Sequence, residues 1–403
     1  MNDALYRLNT RRPALFILLV LISAGSGSAI LFTPGLPEIT KQFAIPSGET
    51  QWTVTIFLIG YAIGQLIYAP IANHLGRKPT LYIGISIALL GSLFCALAGK
   101  PLHSFSLLII SRLIQALGAS TGLVLTFTII NDFYFPEQAR KITAYSIAAF
   151  AVVPGLSVVI GGFLTQHFDW ESCFYFLAAY FFITLLLVTQ LPETRVKLND
   201  EIKTYFLHKF LVAFKTFRIV GYALLLGSTT AIIYIFSANA PVLTIKMLGF
   251  SPATFGLINL IPASFYFLGN LTTAYTAKFV SIQFAILLGI IAITIGVICF
   301  LIFSIFDLLN LYALFLPVAF IYFFIPQVYA NSLVMAIGEH PDKASASSVL
   351  SFLNILMATL GVFILSVFHT HIFLHMAIIF LLLIVLMLVL FFIIQRIQSA
   401  RLS

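Results

Sequence analysis

Gly64-Gln65-Leu66-Ile67-Tyr68-Ala69-Pro70-Ile71-Ala72-Asn73-His74-Leu75-Gly76-Arg77-Lys78-Pro79 joins two long apolar runs. The apolar character breaks only at its end, over a glycine, two cations and a proline. That is the pattern of a tight turn between two helices. Gly76 tolerates a positive φ, and Pro79 fits the first position of the helix that follows. Arg77 and Lys78 place the turn on the cytoplasmic side of a membrane, by the positive-inside bias.

Composition demands the membrane. Apolar residues make up 61% of the chain and charged residues 8%, against about 25% charged in a soluble domain. Phe alone occurs 41 times. Such a chain has too little polar surface to cover itself in water, and its apolar runs lack the alternation of a β-barrel. The fold class is therefore an all-α membrane protein. The net charge of +8 is explained by sidedness and calls for no nucleic acid. Cys95, Cys173 and Cys299 each sit inside an apolar run. An odd, dispersed set implies neither a disulfide framework nor a metal cluster, so they read as packing residues.

Apolar runs of about 20 residues, the length that crosses a bilayer, number twelve. They cover 14–34, 51–72, 79–99, 106–131, 142–165, 171–191, 219–244, 254–277, 282–305, 310–336, 344–368 and 372–394. The first follows Arg7, Arg11 and Arg12 and is long enough for an uncleaved span. With both termini cytoplasmic, 17 of the 21 Lys and Arg fall on cytoplasmic segments; Lys41, Lys100 and Lys246 fall outside and Arg112 lies within a span.

The one long connection, 192–218, is basic and divides the chain into halves at 1–191 and 219–403. Phe206, Phe210, Leu211, Phe214 and Phe217 recur within it at helical spacing. Part of it reads as a surface-lying amphipathic helix or, equally, as a solvated linker. Gly64, Gly84 and Gly91 reappear as Gly269, Gly289 and Gly296, each 205 residues on. The repeat points to two pseudo-symmetric six-helix halves, with a substrate site between repeats near the midplane.

The Gly64–Pro79 turn resembles the loop between spans 2 and 3 of the major facilitator superfamily, with Ala69 for its glycine and Asn73 for its aspartate. Phe32-Thr33-Pro34-Gly35-Leu36-Pro37 is similar to the motif ending span 1, and Arg112-Leu113-Ile114-Gln115 to the Arg-x-x-Gln-Gly motif of span 4, with Ala116 for its glycine. Pro154, Gly161 and Gly162 partly match the span 5 antiporter motif; Ser157 and Val158 replace its Gly-Pro. Leu191-Pro192-Glu193-Thr194, Ala240-Pro241-Val242, Leu248-Gly249-Phe250-Ser251-Pro252 and Ala344-Ser345-Ala346-Ser347-Ser348 extend the likeness to the Bcr/CflA drug-resistance subfamily of drug:proton antiporters.

The resemblance implies a secondary transporter with spans 1, 4, 7 and 10 lining its cavity. The candidate substrate-binding residues are then Ser26, Thr33, Arg112, Gln115, Tyr234, Asn239, Gln327 and Asn331. Gly64, Asn73, Gly76, Arg77, Lys78 and Asp132 form the candidate conformational switch, with Arg77 expected to pair with Asp132. Arg112 is the one charge at membrane depth, where it costs about 3 kcal/mol on insertion scales. It reads either as a cavity cation that attracts anions or as a lock between spans. All 13 acids fall in loops or at span ends, and Ile30 stands near the position where the subfamily usually carries an acid. The coupling mechanism of the relatives is therefore not carried over, and protons remain the candidate coupling ion.

His369, His371 and His375 flank a short turn and read as a decoy rather than a metal site. No phosphate-binding loop is present, so ATP-driven transport is not expected. A membrane-embedded enzyme would need a catalytic constellation at depth, and none is visible. The expectation is a monomeric, cofactor-free, multi-pass inner-membrane transporter of a small organic molecule, in the manner of multidrug efflux. The alternative is a permease for an anionic metabolite or carboxylate-type siderophore.

The charge count makes the topology testable. Single cysteines at Lys100 and Lys246 should react with impermeant maleimide added outside, and one at Lys209 only after permeabilisation. Labelling of all three from one side contradicts the arrangement.

Overall fold

Helices fill the apolar runs. The computed structural model describes residues 13–194, 212, 214–337, 343–368 and 370–402, and no strand occurs among them. Span 1 is Leu15–Ile30, followed by a 3-10 turn at Thr33–Gly35 and the short helix Leu36–Phe43. Spans 2 to 6 are Trp52–Leu75, Arg77–Leu97, Phe105–Phe133, Pro136–His167 and Trp170–Val188. Span 7, Phe217–Pro241, runs on into a π-helical turn, Val242–Met247. Span 8 is split into Pro252–Ile258 and Leu260–Thr276. Spans 9 to 12 are Ile282–Ile305, Leu311–Ile337, Lys343–Ser366 and Ile372–Leu402. Among the described residues, eleven helical runs are long and apolar enough to cross a membrane, and Val152–His167 is the shorter apolar part of span 5.

Two details differ from the sequence reading. Pro79 is the third residue of its helix rather than the first. This costs nothing, because the first-turn N–H groups have no intrahelical partner. Span 12 continues to Leu402, past the apolar run, since its polar end suits a helix emerging into water. Residues 195–211 and 213, where most of the amphipathic pattern falls, lie outside the described residues, as do Met1–Arg12.

Two compact units emerge from the contacts. The first holds 13–35 and 56–194 of the described residues. The second holds 36–55 together with the described residues from 212 onward. Segment Leu36–Thr55 joins the second unit through specific contacts. Gln51 donates from Nε2 to Asn239 Oδ1, Lys246 Nζ to Ser47 Oγ at 3.0 Å, and Trp52 meets Phe363 edge-on at 5.2 Å.

Lipid tails are as apolar as leucine, so helices in a bilayer associate by close packing rather than by hydrophobic burial. The repeated glycines supply that packing in both units. In the first, a Cβ at Gly64, Gly84 or Gly91 would run into Ser120, Thr121 or Gln115, all on span 4. In the second, a Cβ at Gly269, Gly289 or Gly296 would run into Phe323, Val328 or Ile321, all on span 10. Spans 2 and 3 thus seat on span 4 as spans 8 and 9 seat on span 10. The outward faces carry large apolar side chains, such as Phe182, Ile295 and Leu382, each more than half exposed. A surface of that kind is stable only against lipid.

At Gly118 the clash would be with backbone, since a Cβ would meet the Ala88 nitrogen and the Gly84 carbonyl oxygen. Gly118→Ala should therefore lower the melting temperature in detergent, at a cost of about 1–3 kcal/mol. Gly221→Ala, whose Cβ would meet only the tip of Ile394, should be tolerated. Equal melting temperatures for the two variants would contradict this packing.

Candidate functional site

The break in span 1 builds the first feature. Pro34 has no N–H, and the helical ladder ends where Leu31 N donates to Gly27 O at 3.0 Å. The carbonyls of Ser28 and Ala29 fall beyond that last helical bond, in the turn where carbonyls lack helical partners. Arg112 occupies the space beside them. Its Nη1 donates to Ser28 O at 2.9 Å and to Gln115 Oε1 at 2.5 Å, and its Nη2 to Ala29 O at 3.3 Å. Gln115 passes the chain on, donating from Nε2 to Ser92 Oγ at 2.7 Å. The guanidinium carbon lies 4.3 and 4.2 Å from the ring centroids of Phe32 and Phe57, and 5.7 Å from that of Phe174.

Each partner carries the sign a cation needs. Helix C-terminal carbonyls form the negative end of the dipole, and aromatic faces are negative as well. Arg112 is fully buried and ties spans 1, 3 and 4 together inside the first unit. Thr33 Oγ1 donates to Ile30 O at 2.8 Å, and Ser26 Oγ to Ser23 O at 3.4 Å, so both hydroxyls are turned onto their own helix. Span 5 closes on the same break. The Leu31 carbonyl occupies the place of a side chain at Gly161, Gly162 is buried, and Pro154 lies half-buried within the helix.

The turn after span 2 is a ring of charges. Gly76 has φ 106°, as a glycine turn requires, and a Cβ there would lie 2.8 Å from a Glu193 carboxylate oxygen. Arg77 Nε donates to Asp132 Oδ2 at 2.7 Å and Nη2 to Asp132 Oδ1 at 3.5 Å, the pair expected from the sequence. Arg77 Nη1 donates to Ala72 O at 3.0 Å and Asn73 Oδ1 at 3.2 Å. Asn73 thus serves as an acceptor for Arg77. Gly64 seats span 2 against Ser120 below the turn.

Glu193 does the helix capping. Its carboxylate accepts from Arg77 N at 2.9 Å and Lys78 N at 3.0 Å, at the N-terminus of span 3. Lys78 Nζ reciprocates, donating to Thr189 O at 2.7 Å and Leu191 O at 3.0 Å beyond span 6. An anion sits on a helix N-terminus and a cation at a helix C-terminus, each favourable by about 0.3–1 kcal/mol.

In the second unit, Asn239 is buried, accepts from Gln51 and donates from Nδ2 to Ile235 O at 2.8 Å. Gln327 Oε1 accepts from Thr273 Oγ1 at 2.9 Å. Asn331 Nδ2 donates to Gln327 O at 2.7 Å, and Tyr234 is half-buried. The structure therefore brings Arg112 and Gln115 together directly, and links Gln327 to Asn331. It engages Asn239 with the start of span 2.

Sequence reading gave no role to five participants. Glu193 had a signal, an acid directly after the proline that follows span 6. Gln51 looked like a mere span boundary. Phe32 stood in the motif ending span 1 with no contact assigned, and Phe57 and Phe174 gave no signal among 41 phenylalanines. Among the described residues, no group of His, Cys, Asp and Glu is placed to hold a metal ion.

The family model described as Major Facilitator Superfamily matches residues 15–366. "Multidrug resistance protein D" of Escherichia coli (strain K12) is 27% identical over 256 residues, which span 63% of this chain and 64% of that protein. "Bicyclomycin resistance protein homolog" of Haemophilus influenzae (strain ATCC 51907 / DSM 11121 / KW20 / Rd) is 24% identical, over 64% of this chain and 63% of its own. The match thus spans a little under two thirds of these relatives' length. In fold, the chain is similar to a D-xylose-proton symporter, with TM-score 0.75 at 13% identity over 94% of this chain and 96% of the other. The chain is a multi-pass membrane protein and belongs to the Major Facilitator Superfamily.

Proposed function

We propose that the chain is a secondary transporter that moves a small organic molecule across the inner membrane by alternating access, with both termini in the cytoplasm. The carrying observation is the duplicated seat, spans 2 and 3 on span 4 and spans 8 and 9 on span 10, made by glycines at matching positions. Parallel repeats of this kind accompany a substrate site near the midplane and a rocking of one repeat against the other. The multidrug-resistance relatives favour export of drug-like compounds, with a monomer as the working unit.

The charges bear on the substrate. Every described acid lies in a loop or at a helix end, as Asp132, Asp169, Glu171, Glu193 and Asp307 illustrate. A lipophilic cation would find no carboxylate at membrane depth to compensate its desolvation. Arg112 is held by carbonyls and aromatic rings, so an anion would have to displace Ser28 or Ala29 to reach it. Uncharged substrates are favoured, anionic ones next and cations last. Within the second unit, Tyr234, Gln327 and Asn331 are the candidate contacts and Asn239 is wall; within the first, the buried Ser26, Thr33, Arg112 and Gln115 are wall. Proton coupling, if used, runs through a group other than an intramembrane carboxylate.

Proteoliposomes test this reading. Flux of an uncharged aromatic amide, a tricarboxylate and an ethidium-like cation should be measured with and without a pH gradient. The uncharged solute should move fastest and the cation slowest. Faster flux of the cation would contradict the charge argument.

A further inference from the structure

Within the second unit, four neighbouring helices carry four tyrosines and an amide. Tyr234 comes from span 7, Tyr266 from span 8, Tyr322 and Tyr329 from span 10, and Asn354 from span 11. The Tyr322 hydroxyl reaches the Ile233 carbonyl, next to Tyr234, at 3.3 Å, and Tyr329 stands about two helical turns from Tyr322 on the same face of span 10. Asn354 packs on span 7 at Gly227, about two turns from Tyr234, where a Cβ would lie 3.3 Å from the Asn354 Cα. The Tyr266 and Tyr322 rings stand edge to face with centroids 6.4 Å apart.

These tyrosines divide into two kinds. Tyr322 is a packing residue, since its ring is buried and its hydroxyl donates to Ile233 O at 3.3 Å. Tyr234, Tyr266 and Tyr329 are half-buried, so each keeps accessible surface. Tyr234 makes no hydrogen bond among the described residues. Asn354 supplies the independent observation. It is 9% exposed, and its Oδ1 is buried with no hydrogen-bond partner among the described residues. A buried amide oxygen without a donor is costly to leave and asks for a donor from outside the protein.

We propose that Tyr234, Tyr266, Tyr329 and Asn354 form a binding subsite for an uncharged phenol. Tyrosine rings receive an aromatic ring in offset or edge-to-face contact. The phenol O–H then donates to Asn354 Oδ1, and its oxygen accepts from a tyrosine hydroxyl. Neutrality follows from the surroundings: the described membrane-depth residues of spans 7, 8, 10 and 11 include no Asp, Glu, Lys or Arg. An ion of either sign would be desolvated there without a partner. This subsite deepens the transporter reading and rests on it for its physiological role, though binding itself does not.

Calorimetry on the purified full chain in detergent tests it with four matched probes. They are 4-hydroxyacetanilide, its O-methyl ether, 4-hydroxyphenylacetate and tyramine. The neutral phenol should bind, the ether about tenfold more weakly for the lost donor, and the two ions more weakly still. Asn354→Leu should reduce phenol affinity about tenfold and abolish the difference between phenol and ether. Asn354→Asp should gain tyramine binding, which shows a folded protein with a rewritten subsite. Equal binding of phenol and ether, or unchanged phenol affinity in Asn354→Leu together with no gain of tyramine binding in Asn354→Asp, overturns the proposal. If the phenol binds but crosses no proteoliposome, the subsite stands and the transport reading fails. If other solutes are transported and no phenol binds, the subsite fails and transport stands.

Discussion

A guanidinium buried in a bilayer-spanning bundle must find negative charge, and Arg112 finds it in a broken helix. Thr33-Pro34-Gly35 interrupts span 1, which leaves the Ser28 and Ala29 carbonyls facing the cation. Three aromatic faces and Gln115 complete the shell. Neither part is stable alone. Without Arg112 the carbonyls would be orphaned in a medium that offers no water, and without the break the cation would lose both of them. The proline of span 1 and the arginine of span 4 are therefore one device, written 78 residues apart (112 − 34).

That device fixes the wall around which the first unit closes. Gly161 lets span 5 approach the Leu31 carbonyl, and Gly122 lets span 4 approach that of Leu21. Formal charges otherwise gather at the ends of the helices. The Arg77, Asp132, Glu193 and Lys78 ring lies at one end, and Lys100 pairs with Asp169 at 2.6 Å at the other. Among the described residues, what remains at depth is hydroxyl, amide and ring.

Much of this was legible in the sequence because lipid permits few solutions. Run length set the helices, the glycine repeat at 205 residues set the two matching seats, and Gly76 between Leu75 and Arg77 set the turn. The Arg77–Asp132 pair could be anticipated because both charges fall at one membrane face. Other features depend on three-dimensional register. The duty of capping span 3 passed to Glu193, 117 residues beyond Gly76 (193 − 76). The grouping of 36–55 with the second unit hangs on Gln51 meeting Asn239, two amides 188 positions apart. No local pattern announces either contact. Tyr234 was named from the sequence, but its grouping with Tyr266 and Tyr329 was not, because half-exposed and buried tyrosines look alike in a run of apolar residues.

The most direct measurement is the melting temperature of ligand-free Arg112→Met in detergent, set against the wild type. A residue held open for substrate is usually a burden on stability, and removing a buried charge without partners stabilises. Here the change strands the Ser28 and Ala29 carbonyls and Gln115 Oε1, at about 1–3 kcal/mol for each buried group left unpaired. The account predicts a clear fall in melting temperature. A melting temperature equal to or above that of the wild type would contradict it.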